Sequence, residues 1–491
     1  MNDESAKNQD SPVATGIEGL DDLLRGGLSA NRLYLVEGTP GSGKTTLALQ
    51  YLRHGVANGE RVLLVTLSET KEELLATSAS HGWSLDGIDI LEIIASEASL
   101  TPDASVTMYH PSEVELSETT KAVLAEANRL KPARMVLDSL SEFRLLAESS
   151  LRYRRQIFAL KHFFARQKTT VLFIDDRTTD RSDMTLHSLA HGVISLERET
   201  SEYGTVRRRV FITKMRGRPF REGFHDFAIR RGGVQIYPRL VASEHWAPYE
   251  RGAISSGLAP LDTLLGGGLT KGSSTLIMGP AGTGKSSLAT QYAMAAGARG
   301  EHTSLFLFDE SLLTFRERSA GLGFDVDSML ERKAIDARQL DPAELSPGEF
   351  AHVVRRTVEE KKTSIVVIDS LNGYLNAMPN ERFLVLHLHE LLAYLSQRGV
   401  TSILLMAQHG LVGADMQSPL EASYLADIVL LLRYFESIGE VRKAISVIKK
   451  RVGRHERTIR ELSFDNGISI GPPIQDFQGV LSGVPTLAKR N

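Results

Sequence analysis

The chain has 491 residues, 42% of them hydrophobic and 24% charged, with a formal net charge of -3 and no cysteine. A balanced charge excludes a global basic field that would draw the whole protein onto nucleic acid. The missing cysteine excludes disulfides and thiolate metal sites. No apolar run approaches the roughly 20 residues of a membrane-spanning helix, and no Arg-led hydrophobic leader opens the chain, so a cytoplasmic location is expected.

Residues 1–12 are polar, with several acidic and amide side chains, and read as a disordered leader. A repeat follows. Thr15-Gly16-Ile17 through Gly26-Gly27-Leu28 returns as Ser256-Gly257-Leu258 through Gly267-Gly268-Leu269, at the spacing that separates Lys44 from Lys285. Two copies of one domain are expected, at 13–245 and 246–491, joined near Ala242–Arg251, where no apolar period is seen and Pro248 interrupts. In each copy, short runs rich in Val, Ile and Leu alternate with longer helical patterns. Arg61–Thr66, Met135–Leu137 and Thr170–Ile174 are examples in the first copy; Ser304–Phe308, Ile365–Ile368 and Ile403–Met406 are examples in the second. Continuous apolar strands between helices predict an α/β fold, a mostly parallel sheet flanked by helices on both sides.

Gly38-Thr39-Pro40-Gly41-Ser42-Gly43-Lys44-Thr45 and Gly279-Pro280-Ala281-Gly282-Thr283-Gly284-Lys285-Ser286 fit the phosphate-loop pattern, each after a strand-like run and before a helical one. Glycines let backbone N–H groups turn inward around phosphates, and the following helix N-terminus adds partial positive charge. The lysine meets the β- and γ-phosphate oxygens of ATP, and the Thr45 or Ser286 hydroxyl joins the Mg2+ shell. Asp138 and Asp369 each end an apolar strand and are expected to hold that magnesium, although a strand-end aspartate alone would equally cap a helix. Glu69 and Glu310 follow the next polar bend at the same repeat spacing. They are candidates to activate an attacking water, against the plainer role of a carboxylate at a helix start.

Late in each repeat, Lys214-Met215-Arg216 and Lys449-Lys450-Arg451 close strand-like runs. Residues i and i+2 on a strand share a face, so both charges reach one phosphate group. Contact with a neighbouring subunit's nucleotide, as an arginine finger makes, implies a homo-oligomeric ring. A solvated basic edge is the bland alternative. Nucleic acid is a third, disfavoured because no aromatics are interleaved.

Together these residues resemble the KaiC family of the RecA superfamily over nearly the whole chain. The likeness extends to Gly26-Gly27-Leu28, His81-Gly82-Trp83, Leu322-Gly323-Phe324, Tyr434-Phe435-Glu436 and Gly479 to Thr486. The resemblance implies tandem RecA-like domains in a hexameric double ring with ATP at subunit interfaces. It further implies slow hydrolysis in the N-terminal ring and autophosphorylation, a Ser/Thr kinase activity, in the C-terminal ring. The second half keeps the family's acidic pair as Asp309-Glu310, both candidates for the base, whereas the first has Ser68-Glu69. The family's paired phosphoacceptors correspond to Ser423 and Tyr424, so that one aliphatic hydroxyl remains and a single-site switch is expected. After Thr486 only Leu487 to Asn491 follow, so dependence on a KaiA-type activator is not expected, while a KaiB-like or signalling partner stays open. Two other classes stay open: a DNA-dependent RecA-family ATPase, and a scaffold that binds ATP only to assemble.

Overall fold

The computed structural model describes residues 12–93, 111–147, 149–177, 185–200, 204–376, 381–408, 422–465, 467–480 and 486–487. The sequence-predicted leader up to residue 11, and 481–485 of the terminal Gly479–Thr486 segment, lie outside them. By its internal contacts the chain divides between Arg239 and Leu240. Leu240 is buried in the second unit's core, and the ring of His245 stands edge-on to Tyr394, so the segment expected to join the repeats packs as part of the second unit.

In the first unit the described strands of the main sheet are β1 (Leu33–Gly38), β2 (Val62–Thr66), β3 (Ile88–Glu92), β4 (Arg134–Asp138), β5 (Thr170–Asp176), β6 (Gly192–Glu199), β7 (Arg207–Met215), β8 (His225–Arg230) and β9 (Gly233–Tyr237). Their spatial order is β3-β2-β4-β5-β1-β6-β7-β8-β9, parallel from β3 to β6 and antiparallel beyond. The second unit repeats this order with β10 (Ser274–Gly279), β11 (His302–Leu307), β12 (Ile335–Gln339), β13 (Thr363–Asp369), β14 (Thr401–Ala407), β15 (Ile428–Ser437), β16 (Glu440–Lys450), β17 (Ile459–Ser463) and β18 (Ser469–Pro473). Identical strand order in both halves is the structural counterpart of the sequence repeat.

Both faces of each sheet are covered, which is why the central strands read as unbroken apolar runs. In β1, Tyr34 and Val36 pack with Leu47, Tyr51 and Leu52 of the helix Lys44–Ala57, whereas Leu33 and Leu35 pack on the other face with Leu160 and Phe164 of the helix Ser150–Gln167. The second unit has the same two-sided core. A cation buried within the core departs from this pattern. Arg134 is 2% exposed, pairs with Glu60, donates to the Ala14 carbonyl at 2.7 Å and lies over the Tyr51 ring.

Candidate active sites

Each phosphate loop leaves the carboxyl end of the sheet's central strand. Gly43 and Gly284 take φ of 102° and 99° immediately before their helices, a left-handed conformation that glycine adopts without strain. A side chain at either position would also strike Ile229 or Phe464, so the loop keeps the close cradle a phosphate requires. Lys44 Nζ donates to the Gly38 and Thr39 carbonyls, both at 3.0 Å; Lys285 Nζ donates to those of Gly279 and Pro280 at 2.9 and 2.8 Å. Each lysine thus curls over its own loop. The Ser42 hydroxyl is fully buried with no hydrogen-bond partner.

The lysines differ in their acidic neighbours. Asp176 Oδ1 stands 2.7 Å from Lys44 Nζ. Asp176 ends β5 and pairs with Gly38; the residue pairing with Gly279 at the end of β14 is Ala407. Burial lowers the pKa of Lys285 to about 8, with Asp369 acting in the opposite sense. Among the described residues no carboxylate forms an ion pair with Lys285, and an ammonium so placed suits a polyphosphate.

Beyond the lysine, Thr45 Oγ1 donates to Asp138 Oδ2 at 2.8 Å, and Ser286 makes the equivalent bond to Asp369. Burial pushes both aspartates above the ordinary carboxylate range, against the opposing hydroxyl bonds. Bringing a divalent cation to this hydroxyl–carboxylate pair would relieve that penalty. Among the described residues no three acidic or histidine side chains form a group that could hold a metal ion.

Glu69 and Glu310 fall where their spacing predicted, between a strand and the helices Lys71–Ser80 and Leu312–Gly321. Glu69 Oε2 is buried without a hydrogen-bond partner, and burial raises the carboxyl's pKa, with Asp138, Glu73 and Asp176 adding to the rise. Glu310 instead forms a fork with Arg318, Nε to Oε1 and Nη2 to Oε2 both at 2.9 Å. Asp309 accepts a hydrogen bond from Ser370 through Oδ2. Tyr434, on β15, donates to the Ala281 carbonyl at 3.1 Å and so overhangs the second loop.

The Lys-x-Arg pairs sit elsewhere. Lys214 pairs with Val193, and Lys449 with Val429; these align with Leu35 and Leu276, three residues short of Gly38 and Gly279, or roughly 10 Å of strand. Lys214 Nζ donates to the carbonyls of His187 and Ala190; Lys449 Nζ donates to those of Ser423 at 2.9 Å and Ala426 at 2.8 Å. Arg216 and Arg451 lie one residue beyond the ends of their strands, with backbone N–H groups bonded to the carbonyls of His191 and Asp427. Arg216 donates to the Ser188 carbonyl at 2.8 Å and Arg451 pairs with Asp427 at 2.9 Å. All four point away from the phosphate loop of their own unit. Ser423 and Tyr424 form an exposed turn against Lys449.

Sequence reasoning missed Asp176, Arg318 and Ser370. Arg318 had a signal, an arginine one helical face after a catalytic-type glutamate; Asp176 becomes visible only through the pairing of β5 with β1.

Two phosphate loops, each followed by a hydroxyl–aspartate pair and a glutamate on repeated mostly parallel sheets, define a tandem RecA-like ATPase. The KaiC ATPase family model matches residues 13–241 and 254–475. The chain belongs to the KaiC family. Relatives named circadian clock oscillator protein KaiC include that of Acaryochloris marina, 27% identical over 96% of this chain and 91% of the relative. Those of Thermostichus vulcanus and Synechococcus elongatus are 27% and 26% identical over 98% and 99% of this chain and 93% and 94% of theirs. Among the described residues no helix is long and apolar enough to cross a membrane.

Proposed function

We propose that this KaiC-family ATPase is a signalling or timing switch in which the first unit hydrolyses ATP and the second transfers the γ-phosphoryl group of ATP to Ser423 of a neighbouring subunit in a hexameric double ring. The observation that carries it is the position of Ser423: its carbonyl holds Lys449, and both stand at the end of the sheet opposite Lys285 and its loop. Neither side chain serves its own nucleotide. Brought against a neighbour, the same edge would present Lys449 and Arg451 to a γ-phosphate and a hydroxyl beside it.

In each site the loop and its lysine bind the polyphosphate, and Thr45 with Asp138, or Ser286 with Asp369, would hold Mg2+. The ion's contribution when bound is to neutralise charge on the β- and γ-oxygens. Glu69 takes the proton of the attacking water; Asp309 or Glu310 takes that of the Ser423 hydroxyl. Tyr424 is the lesser acceptor candidate beside it. A cytoplasmic location and a KaiB-like or signalling partner accompany this reading, with no role for nucleic acid.

The test is incubation with γ-labelled ATP and site mapping on the wild type and Ser423→Ala. Label that disappears in the variant supports transfer to Ser423. Absence of label from both, with turnover stimulated severalfold by single-stranded DNA, would replace the kinase with a DNA-dependent motor.

A further inference from the structure

The two units carry the same glutamate at the same place and surround it differently. Arg318 stands eight positions after Glu310 on the helix Leu312–Gly321 and takes both carboxylate oxygens in a fork. Its third nitrogen, Nη1, lies 3.5 Å from Thr290 Oγ1, and its guanidinium lies over the Phe315 ring, 5.6 Å from the centroid. The position eight after Glu69 is Thr77, whose side chain cannot span that distance, and the repeat counterpart of Thr290 is the buried Leu49. Glu69 Oε2 accordingly has no partner.

We propose that Arg318 is a positioning residue that withholds Glu310 from water in the second unit, so that bound ATP survives there long enough to phosphorylate protein, while the unrestrained Glu69 turns ATP over in the first. This deepens the reading of both glutamates as bases. In hydrolysis the water oxygen bonds to the γ-phosphorus, the bond to the bridging oxygen breaks with its electron pair on ADP, and the water proton passes to the glutamate. A carboxylate already forked to a planar guanidinium is fixed in orientation and has fewer lone pairs to offer that proton. Transfer to Ser423 follows the same bond exchange, with the hydroxyl proton going to Asp309, which Arg318 does not engage. Ser370 binds its Oδ2 and leaves Oδ1 for the task.

The repeat provides its own controls. In full-length protein carrying Glu69→Gln, which removes first-unit turnover, adding Arg318→Thr is expected to raise the remaining kcat about tenfold at unchanged KM and to reduce label on Ser423. Arg318→Lys, which keeps the charge without the fork, is expected to fall between. In the reciprocal arm, on the Glu310→Gln background, Thr77→Arg is expected to lower first-unit kcat about tenfold at unchanged KM. A merely structural Arg318 would change KM or thermal stability without raising kcat. An unchanged or lower kcat in a folded, ATP-binding Arg318→Thr protein overturns the proposal; if that variant does not fold, an unaffected kcat in Thr77→Arg does so. The glutamate reading fails separately, through wild-type turnover in the Glu69→Gln, Glu310→Gln double variant.

Discussion

Asp176→Ala is expected to tighten ATP binding at the first phosphate loop. In the structure Lys44 is 8% exposed and its Nζ lies 2.7 Å from Asp176 Oδ1, whose side chain is 31% exposed. An incoming γ-phosphate must either displace that carboxylate or sit beside it. A charge-assisted hydrogen bond contributes about 1.5–3 kcal/mol; the partial exposure of Asp176 places this pair at the lower end, so its removal should strengthen binding about tenfold, or ~1.4 kcal/mol. The unliganded first unit should lose a comparable amount of stability, because Lys44 then keeps only the two loop carbonyls. Calorimetric titration with magnesium ATP on the Lys285→Ala background isolates the first site. Ala407→Asp on the Lys44→Ala background is the mirror experiment, and it should weaken the second site about tenfold. Unchanged or weaker binding in Asp176→Ala would refute the reasoning, since the aspartate would then be assisting the nucleotide.

Three further outcomes follow from the same structure. Lys285→Ala and the double variant Lys449→Ala, Arg451→Ala should each fail to label Ser423 alone; mixed one to one and reassembled, about a quarter of interfaces pair an intact loop with an intact basic edge, and label should return in proportion. No recovery would remove the case for contact between subunits. His225 is 2% exposed, accepts the Arg239 N–H through Nδ1 at 2.8 Å, and is held by burial at a pKa of about 4. A folded value below the unfolded 6.5 means that the unfolded chain binds the extra proton between those limits. Stability is therefore full above pH 6.5 and falls as pH drops to 4, by about 3 kcal/mol, and denaturant titrations of wild type and His225→Gln should differ by that slope. Arg134→Ala should destabilise the first unit by about 3 kcal/mol or more, because Glu60 and the Ala14 carbonyl lose a buried partner, whereas an Arg134→Ala midpoint equal to wild type would show the pair to be energetically neutral.

Much of this was legible in the residues themselves. The phosphate loops, the strand-end aspartates and the two glutamates are local patterns, set by a strand, a turn and a helix start that follow one another in the chain. The continuous apolar runs announced a sheet buried on both faces, and the cores on either side of β1 are the reason. What local pattern could not carry was cross-chain register. Asp176 lies beside Lys44 because β5 pairs with β1 so that Asp176 meets Gly38. The direction of the Lys-x-Arg pairs likewise depends on β7 and β16 running antiparallel to their neighbours, which brings their ends to the far side of the sheet.

The two departures from symmetry act in one direction when taken together. The first unit adds a negative charge beside the lysine that must receive phosphate and leaves its glutamate unrestrained; the second leaves its lysine without that competitor and adds a positive charge on its glutamate. Weakened capture with a free base favours rapid turnover and release. Uncontested capture with a restrained base favours retention of ATP, the condition that transfer to a poor nucleophile such as a serine hydroxyl requires. Exchanging both devices at once, Asp176→Ala with Thr77→Arg in the first unit and Ala407→Asp with Arg318→Thr in the second, should therefore move the faster ATP turnover to the second unit. Either exchange alone should alter only binding or only kcat.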